Sequence, residues 1–137
     1  MKTVVVIDAQ GGGIGKQVIA EIRRRALPVE VTAVGANLAA TQAMLKAGAD
    51  HGVTGENPVL VGCRSADVII GPIGIVIADA MYGEITPAMA KAVGQAQAEK
   101  ILIPVSHCSN YIAGVSGIGL KALIGEAVDR LEPLCGN

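Results

Sequence analysis

There is no tryptophan and no phenylalanine in this chain, and only two tyrosines. Any core must therefore be filled by Val, Ile, Leu, Ala and Met, the palette of helices laid on a buried parallel sheet. Two tyrosines are also too few for a base-stacking platform. Charge is scarce: 17% of residues are Asp, Glu, Lys or Arg, and the formal net charge is -1. No basic run extends beyond Arg23, Arg24 and Arg25. The chain thus lacks the electrostatic footprint of a phosphate-backbone binder, and no nucleic-acid partner is expected.

Long apolar runs are missing too. The apolar stretch after Lys2 ends at Asp8, too short for a signal peptide's apolar region. The longest uncharged apolar run lies between Asp67 and Asp79 and is interrupted by Gly71, Pro72 and Gly74. It falls short of the roughly 18 residues of a membrane span. The expectations are no membrane partner and a cytoplasmic location. Cysteines are few and odd in number, Cys63, Cys108 and Cys135, which argues against a disulfide framework and suits a reducing compartment.

What is present is 137 residues, 51% of them hydrophobic. That length predicts one domain over 1–137 burying about two thirds of the surface it exposes when unfolded. Val4 to Ile7 reads as a strand buried on both faces. From Gly15 the spacing turns helical, with Val18, Ile19 and Ile22 on one stripe and three arginines at the end where the dipole favours cations. Val29 to Val34 is a second strand. Asn37 then caps a helix carrying Leu38, Met44 and Leu45 that stops at Gly48.

Val53 and Thr54 suggest a short third strand, followed by a helix with Asn57 as cap and Pro58 at its first position. Val68 to Ile70 is a fourth strand. The apolar segment after it is either a strand continuation or a buried helix, and a helix from Ile75 to Tyr82, ended by Gly83, is preferred. Thr86 and Pro87 open a further helix. "ILIPV" is a fifth strand in which Pro104 marks an edge or an end. "YIAGV" is a candidate pairing partner, and "GLKALIGEAVDRLEPL" a closing amphipathic helix. Alternation at this spacing predicts a three-layer α/β domain with a mostly parallel sheet of five to six strands. Ligands of such sheets bind beyond the carboxyl ends of the strands.

The first of those ends carries "DAQGGGIGK", Asp8 to Lys16. Glycines there let the backbone turn tightly and expose N–H groups, and the following helix presents its positive end. Gly11, Gly12, Gly13 and Gly15 fit that use, with Gln10 and Ile14 between them. Lys16 sits in the first turn, where the dipole disfavours a cation unless an anion joins it. The competing reading is a tight strand-to-helix turn in which Gly15 serves packing and Lys16 is simply solvated. Asp8 is a candidate for a metal, a ribose or an amine, or else an acceptor for loop N–H groups.

Named motifs fit incompletely. A P-loop needs glycine and Ser or Thr where Gln10 and Gln17 stand. The dinucleotide fingerprint matches Gly12 and Gly15 but meets Gln10 first. The loop comes closest to the short-chain dehydrogenase and reductase spacing, Gly-x-x-x-Gly-x-Gly, which Gly13 and Gly15 satisfy and Ala9 does not. "VIIGPIG" likewise resembles that family's turn after the fourth strand, with Gly74 as the matching glycine. The family's Tyr-x-x-x-Lys is missing at both Tyr82 and Tyr111, so its chemistry is not implied.

The second strand ends in Gly35, Ala36 and Asn37, with no acid for a ribose and no Arg for a 2′-phosphate. Asn37 is either a sugar ligand or a helix cap. The candidate site is therefore Asp8, Gln10 to Lys16, Asn37, Gly71, Pro72 and Gly74. Its ligand class is a nucleotide, a dinucleotide or another phosphate-bearing small molecule. His107 and Cys108 follow the fifth strand without the spaced-pair signature of a zinc site. The crowding of Ile73, Ile75, Val76, Ile77, Met81 and Tyr82 suggests either a fully buried helix or an apolar association surface, the latter preferred and implying a homodimer; the alternative function is a ligand-free homo-oligomeric interaction protein using segment 73–82.

Taken end to end, "IDAQGGGIGK", "MLKAGAD", "TGENPV", "IIGPIGIVIADAMYGEITPAMA" and "KILIPVSHC" resemble, in order and over nearly the whole chain, the bacterial proteins grouped as domain of unknown function 3842. The resemblance implies a small cytoplasmic bacterial protein with a Rossmann-like fold. It brings no established activity, substrate or catalytic residue. Ala9 stands where that family leads one to expect glycine.

Overall fold

The computed structural model describes residues 1–105 and 110–136. The strands are β1 (Lys2–Asp8), β2 (Val29–Gly35), β3 (His51–Thr54), β4 (Val68–Pro72) and β5 (Glu99–Ile103). The helices are α1 (Gly13–Arg24), α2 (Leu38–Lys46), α3 (Glu56–Ser65), α4 (Pro87–Gln95) and α5 (Leu120–Leu131). All strand pairs are parallel, in the order β3-β2-β1-β4-β5. This is a three-layer, Rossmann-like α/β arrangement.

The β-branched run of β1 explains its central place. Val4 and Val6 pack with Val18, Ile19 and Ile22 of α1 and with Ile124, Val128 and Leu131 of α5. Val5 and Ile7 face the other way, onto Val59 of α3 and Met89 and Val93 of α4. A strand apolar on both faces is stable only between two helical layers. Pro104 directly follows β5, which is both an edge strand and ends there, so the missing N–H costs the ladder nothing.

Side-chain caps sit where local chemistry put them. Asn37 Oδ1 accepts from Ala40 N at 2.9 Å, and Thr86 Oγ1 accepts from Met89 N at 3.2 Å with Pro87 behind it. Three expectations need correction. The helix α3 begins at Glu56, with Gly55 rather than Asn57 at the cap, because Gly55 holds φ +116, a conformation costly for other residues. Pro58 still falls in the first turn, where its missing N–H is harmless. "YIAGV" forms no strand.

The expected helix Ile75–Tyr82 is instead a 3-10 turn, Ile73–Val76, followed by a series of tight turns. Asp79, Met81 and Tyr82 have φ of 65, 58 and 57, which no right-handed helix accommodates. The path lets Ile75, Met81 and Ile85 bury themselves beside Ile7 and Ala9. The apolar segment thus covers the chain's own core, and of its crowded side chains only Tyr82 is exposed.

Polar ties concentrate at the amino edge of the sheet and along α1. Asp67 Oδ2 accepts from Thr3 N, and Asp50 Oδ2 accepts from Val31 N and Arg23 Nη2. Arg25 joins α1 to α5, donating to Glu21, Asp129 and Glu132 at 2.6, 2.7 and 2.9 Å. Hydrogen bonds from Arg24 and then Arg25 lower the Glu21 pKa from 4.5 to about 2. A carboxylate depressed in the folded state stabilises above its unfolded pKa, and that contribution disappears as pH falls through the folded value. The melting temperature of the native protein should therefore fall more steeply than that of Glu21→Gln between about pH 4.5 and 2. Circular-dichroism melts of both proteins across that window check this; parallel curves would deny the network any role.

Candidate functional site

Crossovers run from β1 toward β2 and β3 on one side and return through α3 to β4 and β5 on the other. The carboxyl ends of β1 and β4 therefore diverge, which is where doubly wound sheets open a crevice. Asp8 and the glycine loop lie at the first of these ends.

Asp8 is 4% exposed and organises the loop. Its Oδ1 accepts from Ala9 N at 2.8 Å and its Oδ2 from Gly15 N at 2.7 Å. Its carbonyl accepts from Ala36 N at 2.9 Å, joining the loop to the end of β2. Gly12 N donates to Ala9 O at 3.0 Å, closing a turn that sets Gln10 at φ 51 and Gly12 at φ 71. One carboxylate thus fixes both sides of the turn and satisfies one donor of the first turn of α1.

The four glycines fall into two classes. A Cβ on Gly12 would meet Ala40 O at 2.9 Å, and one on Gly15 would meet Met44 Sδ at 2.5 Å and Asp8 Cβ at 3.1 Å. Those two are required by packing, and Gly12 by its φ as well. Gly11 and Gly13 have ordinary φ, and a Cβ there meets nothing within 4 Å. The N–H groups of Gly11, Gly13 and Ile14 have no acceptor among the described residues. Ile14 leans on the core, while Lys16 is exposed and has no ion-pair partner among the described residues.

A second tier comes from two distant segments. Glu84 Oε1 accepts from Gln10 N and from Asn37 Nδ2, each at 2.8 Å, and Asn37 Nδ2 also reaches Gln10 O at 2.9 Å. Among the described residues, four of the five non-glycine residues with positive φ, Gln10, Asp79, Met81 and Tyr82, belong to the two segments that meet here. Such strain persists only where surrounding contacts over-determine it, and it gathers at functional sites. No local signal in the sequence marks Glu84 for this role. Its partners lie 74 and 47 residues away, and no spacing rule reaches that far.

The remaining candidates lie at the end of β4 and in the turn after it. Gly71, Pro72 and Gly74 are buried. A Cβ on Gly71 would strike Ile7 O at 2.4 Å, and one on Gly74 would strike Met81 Cε at 2.7 Å. Thr41, 3% exposed, ties α2 to β3 through Val53 O and Thr54 Oγ1, and Thr86 Oγ1 donates to Glu56 Oε1 at 2.6 Å. His107 and Cys108 lie outside the described residues. Among the described residues, no three His, Cys, Asp or Glu side chains cluster as metal ligands would. A cavity of about 600 Å³ between α3 and α4 does not coincide with the loop. Burial pushes the thiol of Cys63, which lines it, above its usual range, so that thiol is an inert wall. Among the described residues, no helix is long and apolar enough to cross a membrane.

The family model described as domain of unknown function (DUF3842) matches residues 3–135. No curated protein matches the chain. Among solved structures it is similar to saccharopine dehydrogenase (L-Glu forming) from Saccharomyces cerevisiae, at 20% identity and a TM-score of 0.50. That match covers 97% of this chain and 24% of the dehydrogenase, so the chain spans about a quarter of that protein's length. It is also similar to a dodecameric FMN-dependent UbiX-like decarboxylase from Escherichia coli O157:H7, at 18% identity and a TM-score of 0.48, over 96% of this chain and 76% of that one. The likeness shared with the dehydrogenase is one of fold.

The two glycine classes predict opposite responses to one methyl group. Gly15→Ala and Gly71→Ala should each lose about 1–3 kcal/mol of unfolding free energy to overpacking. Gly13→Ala, at the first position of α1, should leave stability unchanged or raise it by up to about 1 kcal/mol. Urea unfolding of the three variants measures the difference.

Proposed function

We propose that this chain, which belongs to the DUF3842 family, holds the phosphate of a nucleotide or of another phosphorylated small molecule on the turn from Gly11 to Lys16. The observation that carries this reading is the open space at Gly11 and Gly13. Packing and φ account for the glycines at 12 and 15 but leave those two without a structural duty. Side-chain-free positions beside donors without acceptors let an anion approach the backbone closely.

The first turn of α1 adds its positive end, and Lys16 adds a cation whose charge is unopposed by any described ion pair. Asp8 is negative, but its oxygens face Ala9 N and Gly15 N, so it acts as the brace of the turn. Glu84 braces the other side through Gln10 N. A turn braced before binding loses little entropy when an anion arrives. Asp8 being engaged with backbone, and Glu84 and Asn37 with backbone and with each other, the reading is of binding and assigns no catalytic group.

The test is a thermal-shift screen of nucleotide-free protein against NAD, NADP, ATP, GTP, AMP, FMN, coenzyme A and inorganic phosphate. A ligand present at 100 times its dissociation constant should stabilise by about 2.7 kcal/mol. Gly13→Asp should remain folded and lose the shift. Lys16→Ala should weaken binding about tenfold, the loss of one charge-assisted contact. No shift from any compound in the native protein overturns the proposal.

A further inference from the structure

The end of β2 is where a doubly wound domain usually meets the ribose of its ligand with an acid. Here that end reads Gly35, Ala36, Asn37, and no carboxylate follows within α2. Asn37 is itself fully engaged. Its Oδ1 accepts from Ala40 N, and its Nδ2 donates to Gln10 O and to Glu84 Oε1. The amide that looked available for a sugar is occupied in capping α2 and in holding the loop.

The same contact brings a carboxylate to this place from another part of the chain. Glu84, half-buried, directs Oε1 to Gln10 N and Asn37 Nδ2, and its Oε2 has no partner among the described residues. A carboxylate oxygen accepts hydroxyl protons well and repels phosphate. No Arg or Lys lies between β2 and the last turn of α2 to offset that repulsion.

We infer that Glu84 is a specificity-determining residue, supplying from the turn after β4 the ribose-diol acceptor that β2 lacks. This rests on the phosphate reading of the glycine turn. With the 5′-phosphate on Gly11 to Lys16, the 2′- and 3′-hydroxyls donate to Glu84, and a 2′-phosphorylated ribose is turned away. The ligand class narrows to nucleotides with a free ribose diol.

Isothermal titration of the full chain separates the outcomes, using adenosine 5′-monophosphate, its 2′,3′-dideoxy analogue, adenosine 2′,5′-bisphosphate and inorganic phosphate. Native protein should bind the monophosphate about tenfold more tightly than either analogue, the effect of leaving a hydrogen bond unmade or opposing two charges. Glu84→Gln keeps an oxygen for Gln10 N and Asn37, so it should fold normally, and inorganic phosphate gives the reference against which its nucleotide preferences are read. The variant should shrink both preferences to less than about threefold. Equal binding of the three nucleotides by native protein, or preferences that survive in Glu84→Gln, would overturn this inference and leave the phosphate site standing. Failure of all four compounds to bind would overturn both.

Discussion

The glycine turn depends on one buried carboxylate. Asp8 ends the central strand and accepts from the loop with one oxygen and from the first turn of α1 with the other. Without it, Ala9 N and Gly15 N would be left facing a protein interior, and a buried donor without an acceptor costs about 1–3 kcal/mol. The absence of a side chain at Gly15 brings that backbone N–H within 2.7 Å of the carboxylate, with Met44 filling the space behind. Glycine, aspartate and methionine thus form one packing unit joining sheet and helix.

Glu84 extends this arrangement to the other half of the domain. The turn that carries it is the most contorted in the described chain, with three non-glycine residues in the left-handed region. That geometry is maintained from below, by Ile75, Met81 and Ile85 in the core, and by the hydrogen bond between Asp79 N and Ile85 O at 2.7 Å. Burial of aliphatic side chains here offsets backbone strain, and the outcome is a carboxylate delivered to Gln10 and Asn37.

Much of the fold was legible because its signals are local. A β-branched run buried on both faces, an Asn and a Thr three residues ahead of the N–H each one caps, and a proline after an edge strand act within a few residues of themselves. The segment from 75 to 82 misled because an apolar run says that side chains will be buried, not which sign φ will take to bury them. The glycines divided for a similar reason. Their sequence cannot tell Gly13, facing open space, from Gly15 against Met44 or Gly71 against Ile7 O, since the difference lies in what another segment brings near. Glu84 left no trace at all, its role resting on contacts across 74 and 47 residues.

The all-aliphatic interior has an optical consequence. Both tyrosines stand on the outside, Tyr82 at 92% and Tyr111 at 82% exposure, and the core holds no aromatic ring. The folded interior is dark in the near ultraviolet, and unfolding barely changes the surroundings of either chromophore. A reduced nicotinamide or a flavin added to the protein would emit against a nearly silent background, its spectrum reporting the polarity of its surroundings with no tryptophan to absorb, transfer or quench.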